Sequence, residues 1–210
     1  MTDDEFTSPE ERTEEIRINL VVGGSQLDVE LDLDSLAEDL DGITEQREKQ
    51  PGLLFRFAED EPPVTIHTSG KYFICAGSKT ELDKVNQDLI DLLNDMGVID
   101  ATVEEVGFED YNYVGEGSLG RLPDLDFVAI GLGLKNVYYE PEDFSAIIYE
   151  NEDLPCETTL IYGSGKVILP GGKSAEDCVE TYNGLVKELE ELFPSSVTAP
   201  KHVVLETDAE

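Results

Sequence analysis

The apolar residues of this chain follow two periods, and the two alternate in the same order twice. Alternation over Val64 to Thr68 and Tyr72 to Ala76 predicts two strands around the turn Ser69-Gly70. Steps of three and four then put Leu82, Val85, Leu89, Leu92, Leu93 and Met96 on one helical face. Further on, Thr159 to Tyr162 and Lys166 to Leu169 flank Gly163-Ser164-Gly165. Val179, Tyr182, Leu185, Val186, Leu189, Leu192 and Phe193 form the second helical stripe. Both strand pairs read as hairpins, and both stripes read first as core faces. Thr80 with Asp83 resembles a capping box, and Gly97 suits a C-terminal cap. Ser174, with Asp177 three residues on, reads as the N-cap of the second helix. Gly184 inside that helix costs about 1 kcal/mol relative to alanine.

Each copy opens on a further element. Asp32 to Ile43 is helical in pattern, with Leu33, Leu36, Ala37 and Leu40 on one face. Its counterpart, roughly Leu125 to Asn136, contains FVAIGLGL, where two glycines weaken the helical expectation. The repeats begin near Ile16 and Val106, so the chain divides into 15–105 and 106–195, with 1–14 and 196–210 as acidic, solvated tails. Each half reads strand, helix, several strands, long helix. One continuous antiparallel sheet under both long helices is the simplest way to bury both stripes, an α+β arrangement that leaves the other sheet face free.

Charge changes the picture of the surface. The 210 residues carry 48 acids against 14 bases, a net charge of −34. The acids are interleaved with apolar residues along the whole chain, which describes an acidic coat on a folded core. Two explanations compete: a cell interior at molar salt, or a mimic of nucleic acid that binds basic partners. The even spread and low lysine count favour the first. In about 1 M salt the Debye length is about 3 Å, so long-range repulsion from DNA largely vanishes. Counterion release weakens as well, and binding there rests on shape, apolar contact and hydrogen bonds.

Several chemistries fall away. GGKS, Gly171 to Ser174, resembles the end of a phosphate loop, but the required glycine five places before Gly172 is Val167. A cap with a tight turn is the better reading. Cys75, Cys156 and Cys178 match no metal spacing and read as reduced, partly buried thiols. With only His67 and His202, a histidine metal site is not expected, and no cofactor is implied. Carboxylate pairs carry no information in so acidic a chain, so nothing argues for an enzyme. No apolar run is long enough to span a membrane, and the polar start lacks the regions of a signal peptide. A cytoplasmic protein is expected.

The doubled strand–SGK–strand–Gly-x-Lys–helix unit resembles the TATA-box-binding protein family over about residues 16–195. LDLDSLAEDL looks like the family's first helix, and QPGLLFR is similar to its FPGLVYR. IHTSGKYFICAGSK resembles IFSSGKxVCTGAKS, and YEPEDF, Tyr139 to Phe144, matches YEPExF. The resemblance is to a divergent, haloarchaeal-type member. It implies a two-repeat saddle, one curved antiparallel sheet with two long helices on the convex face. The concave face would sit on a widened minor groove of AT-rich promoter DNA, with aromatic wedges kinking base steps. Minor-groove readout mostly separates A·T from G·C, so deformability adds selectivity.

Carried over position by position, the resemblance implies base contacts from Asn19 and Asn112, although a strand asparagine is equally a plain polar surface residue. The second-repeat wedges fall on Phe144 and Tyr162; in the first repeat they fall on Gln50 and His67. Arg56 matches a phosphate-facing arginine whose second-repeat partner is Glu150. The family's central threonine becomes Ala76 and Pro170, while Lys71, Lys79, Lys166 and Lys173 are kept. The acidic stirrup, Glu140, Glu142 and Asp143, implies contact with transcription factor B. The leading expectation is a general archaeal initiation factor that binds and bends the TATA element and recruits transcription factor B and RNA polymerase. The alternative is a TATA-binding-protein-like regulator that has lost promoter DNA and acts through protein partners. A weaker third reading is an acidic DNA mimic.

Overall fold

The computed structural model describes residues 16–40, 42–46 and 52–193. The expected acidic tails and Gln50 lie outside them. The described residues fall into two compact units, one within 18–113 and the other made of 16–17 with 114–193.

The first unit holds β1 (Arg17–Gln26), α1 (Leu33–Asp39), β2 (Ile43–Gln46), β3 (Leu53–Arg56), β4 (Val64–Ile66), β5 (Lys71–Ala76), α2 (Lys79–Asp95) and α3 (Val103–Val106). Its strands lie in the order β2-β3-β4-β5-β1, each antiparallel to its neighbour. The second unit holds the second half of β6 (Glu109–Ser118), then α4 (Leu125–Leu132), β7 (Val137–Tyr138), β8 (Ala146–Glu150), β9 (Thr158–Tyr162), β10 (Lys166–Gly172) and α5 (Ala175–Leu192). Its order is β6-β10-β9-β8-β7, the same arrangement repeated. Antiparallel ladders follow directly from the short turns that join most of these strands.

Each long helix buries its stripe on its own strands. Leu82, Val85, Leu89 and Leu93 of α2 are buried, as are Cys178, Tyr182, Leu185 and Leu189 of α5. Full burial of such a side chain contributes about 1.5–3 kcal/mol, so each stripe is the main attachment of its helix. The polar atoms buried with them are satisfied. Tyr72 donates its hydroxyl to Asn86 Oδ1 at 2.6 Å, and Tyr182 donates to the Ser118 carbonyl at 2.5 Å. Burial pushes the Tyr72 phenol up; burial first, then Glu188 as hydrogen-bond acceptor, pushes Tyr149 up to about 12.

The two SGK turns are built alike. Gly70 and Gly165 have φ of 82° and 86°, in the left-handed region that favours glycine. A Cβ would stand 2.3 Å from the Val29 carbonyl oxygen at Gly70 and 2.1 Å from that of Arg121 at Gly165. Each glycine carbonyl also accepts a backbone hydrogen bond, from Leu27 in one unit and from Leu119 in the other. Glycine at these twin positions therefore lets each hairpin tip close onto the segment after the opening strand.

Three local expectations shift. The α2 cap is Ser78, whose hydroxyl accepts from the Glu81 amide, while Glu81 accepts back from the Gly77 amide. Thr80 and Asp83 are inside the helix. Ser174 caps α5 as expected, with Asp177 accepting from the Lys173 amide. The segment Leu125–Leu132 is helical despite Gly131, because Asp124 caps it and Leu125, Val128, Ala129 and Leu132 are buried. The expected helix over Asp32 to Ile43 stops at Asp39, and Ile43 belongs to β2. Cys156 and Cys178 are buried free thiols and Cys75 is half-buried.

Candidate nucleic-acid interface

Strand alternation divides each sheet into a helix-side row and an open row. In the first unit Val21, Tyr72, Ile74 and Ala76 are buried on the helix side. The open row carries Leu20, Val22, Leu54, Thr65, Phe73 and Cys75, all half-buried, in a register that pairs Val22 with Cys75 and Thr65 with Phe73. In the second unit Val114, Ile148, Leu160 and Ile168 form the matching row, with Ile148 and Ile168 each opposite Leu160. Both open rows are therefore mainly apolar, on a chain whose net charge is −34.

The second-repeat aromatics meet. Phe144 follows the turn at Pro141 and Tyr162 ends β9; their ring centroids are 6.2 Å apart at 65°, edge to face. Tyr162 pairs with Ala146, two residues after Phe144, which sets both rings on the open row. In the first unit His67 stands 5.9 Å from Phe73, tilted by 34°. Its expected companion, Gln50, is outside the described residues.

The cations fare differently. Lys71 is exposed at the start of β5, and among the described residues it has no ion pair. Lys166 is tied to Glu116 Oε2 at 2.7 Å, and Glu116 lies on the open row of β6. Arg56 is half-buried on the open row, where its Nη1 donates to the Glu61 carbonyl at 2.8 Å. Glu150, at the corresponding place in β8, is exposed. Lys79 sits at the start of α2 and bridges Asp83 at 3.2 Å and Asp110 at 3.4 Å. Lys173 precedes the α5 cap, whereas Lys79 follows the α2 cap, so those two lysines are not structural twins.

The asparagines separate as well. Asn112 is half-buried on the open row with Val114 and Glu116. Asn19 shares its row with buried Val21, and Leu20 occupies the open row instead. The central position also moves in the first repeat. Ala76 is 2% exposed and faces the helix side opposite Val21. The open-row residue four places after Lys71 is Cys75, whose thiol is pushed up by burial; four places after Lys166 stands Pro170. Glu140, Glu142 and Asp143 are all exposed, on a turn closed by the amides of Asp143 and Phe144 donating to the Glu140 carbonyl at 2.9 Å. Glu116 and Cys75 escaped the motif comparison; counting strand parity from the SGK lysines locates Cys75.

Among the described residues, no helix is long and apolar enough to cross a membrane. The family model described as transcription factor TFIID, or TATA-binding protein, matches residues 15–96 and again 108–192. A TATA-box-binding protein of Natronomonas pharaonis is 39% identical over 183 residues, 85% of this chain and 95% of its own length. TATA-box-binding protein E of Halobacterium salinarum is 36% identical over 190 residues, 89% of this chain and 98% of its own. The solved structure of Methanococcus jannaschii TBP superposes with a TM-score of 0.71 at 34% identity, covering 84% of this chain and 99% of that one. The α+β two-repeat fold class is shown with them. With the same motif order in both halves, a matching structure and salt-loving relatives, the chain belongs to the TATA-box-binding protein family of DNA-binding transcription initiation factors.

Proposed function

We propose that this chain is a general archaeal initiation factor that binds the TATA element in the minor groove, bends it, and recruits transcription factor B and RNA polymerase. The observation that carries the reading is the Phe144–Tyr162 pair on an apolar open sheet row. Inserting such rings between base steps costs a few kcal/mol of unstacking, offset by the apolar contact that a bent duplex offers. Asn112 contacts bases, Lys71, Arg56 and Lys166 meet phosphates, and His67 stacks in place of a first-repeat wedge. Asn19, on the helix-side row, is given no base contact. Glu140, Glu142 and Asp143 receive transcription factor B. The protein works in the cytoplasm at the nucleoid, as two repeats over 15–105 and 106–195 flanked by acidic tails. The test is fluorescence-detected bending of a TATA duplex in about 2 M KCl, where screening removes long-range repulsion. Bending there is the expected result, and absence of binding at every salt concentration sinks the proposal.

Glu116 favours a second reading. Its carboxylate 2.7 Å from Lys166 cancels a phosphate-seeking charge on the very row that would meet DNA. Glu150 adds another negative charge where the first repeat has Arg56. A regulator that has left promoter DNA and acts through protein partners has no use for those cations. That reading predicts binding to transcription factor B with no DNA binding in the same salt series.

A further inference from the structure

The outer surface of α4 carries large apolar side chains away from the open sheet row. Phe127 and Ile130, three residues apart on α4, are 62% and 68% exposed, and Leu134, in the turn that follows Gly133, is 74% exposed. Leu192 at the end of α5 is also exposed. Phe193 extends the patch, its ring 5.2 Å from that of Phe127. Gly131 makes the join possible: a Cβ there would stand 2.4 Å from the Phe193 ring. Helix α4 is thus apolar on both sides, the pattern of a helix with neighbours all round, while among the described residues Phe127 and Ile130 on one side stay largely uncovered.

Folding does not demand this. Caps at Asp32 and Asp124 align α1 with α4, and the inner face is kept: buried Leu36 and Leu40 with half-buried Ala37 answer Val128, Leu132 and Ala129. At the exposed steps α1 has Ser35 and Glu38 where α4 has Phe127 and Ile130. The same place in the same fold is therefore stable with polar residues, and the apolar stripe is an addition confined to the second repeat. Clusters of exposed large apolar side chains mark interaction sites.

We propose that this face of α4, with the end of α5, is a docking surface for an amphipathic helix of a partner protein whose apolar stripe is flanked by lysine or arginine. Phe127 and Ile130 on the helix, Leu134 just past its end, and Leu192 with Phe193 alongside give one amphipathic helix several apolar anchors. Charge selects the partner. Asp124, Asp126, Glu190 and Glu191 are exposed next to these residues in the chain, against Lys135, Lys187 and Arg121, whose charge acts on Glu190. A second copy of this chain would bring the same carboxylates face to face, whereas basic flanks would meet them as ion pairs that survive at contact distance in salt. The surface is separate from the open sheet row and does not rest on the DNA-binding reading.

The test uses the full chain and synthetic helical peptides of about 15 residues, with one leucine stripe and either arginine or glutamate flanks, read by fluorescence anisotropy. The arginine peptide is expected to bind about tenfold more tightly than the glutamate peptide. The double variant F127S/I130E, which copies α1, is expected to lose about tenfold for the arginine peptide with an unchanged thermal melt. Equal binding by the variant, equal binding of the two peptides, or no binding to the unaltered chain would overturn the proposal. So would sedimentation showing a dimer that F127S/I130E dissolves, which assigns the face to a second copy.

Discussion

The two repeats solve their interiors with different residues and the same result, and solve their open faces with different residues and different results. In the first, Tyr72 lies on the strand and donates to Asn86 on the helix. In the second, the strand position is Val167 and the helix position is Tyr182. The large side chain has changed sides, both places are buried, and every polar atom involved has a partner. Volume and hydrogen bonding are what a core must conserve, and either assignment conserves them. The open rows have no such bookkeeping between neighbours. One carries Lys71, Arg56 and His67, while the other carries Phe144 and Tyr162 but sets Glu116 on Lys166 and Glu150 opposite in sign to Arg56. Packing holds the fold in both halves; it places no such constraint on an open row, and the two rows differ.

The strongest way to break the first half of that comparison is in the core. Leu89→Ala in α2 and Leu185→Ala in α5 occupy twin, fully buried positions, and each should cost about 2–5 kcal/mol in denaturant unfolding. A large cost at one and almost none at the other would show that the two interiors are not equivalent. On the open faces, replacing both Phe144 and Tyr162 by alanine should weaken a TATA duplex about 100-fold, at about 1–3 kcal/mol per lost aromatic stack. His67→Ala should cost no more than about tenfold. Equal losses in the two titrations would mean that the repeats share the wedging evenly. The asparagines give a sharper contrast: Asn112→Ala is expected to lose about tenfold in affinity, and Asn19→Ala almost nothing. A larger loss at Asn19 would place the first-repeat base contact on the helix-side row. The smallest effect belongs to Glu116→Gln, which frees Lys166 and should raise DNA affinity about threefold near 0.15 M salt, shrinking at molar salt. A fall in affinity would assign Glu116 a positive part in binding.

Much of this was legible before any coordinate. The doubled SGK hairpins, both long helices and the Ser174 cap follow from period and turn chemistry. The helix caps near Ser78 and the helix at Leu125–Leu132 were less legible, because local signals there conflict. Thr80–Asp83 competes with Ser78–Glu81 for the same helix start, and Gly131 lowers helix propensity where tertiary burial of Val128 and Leu132 outweighs it. Ala76 leaves the central position and Lys79 does not match Lys173 because the first copy has one residue fewer between its SGK lysine and its helix cap.

The sequence by itself determined the repeat, the class of fold, the acidic coat and the aromatic pair, since all of these are written in period, composition and residue type along the chain. Only the tertiary structure decided which row of a strand each residue joins. A shift of one residue turns a side chain to the other face, so strand parity separates Asn112 from Asn19 and Cys75 from Ala76. It also decided which charges meet. Glu116 and Lys166 are remote in sequence, and sheet pairing brings them to 2.7 Å. Their mutual cancellation is a property of the folded sheet that neither residue carries alone.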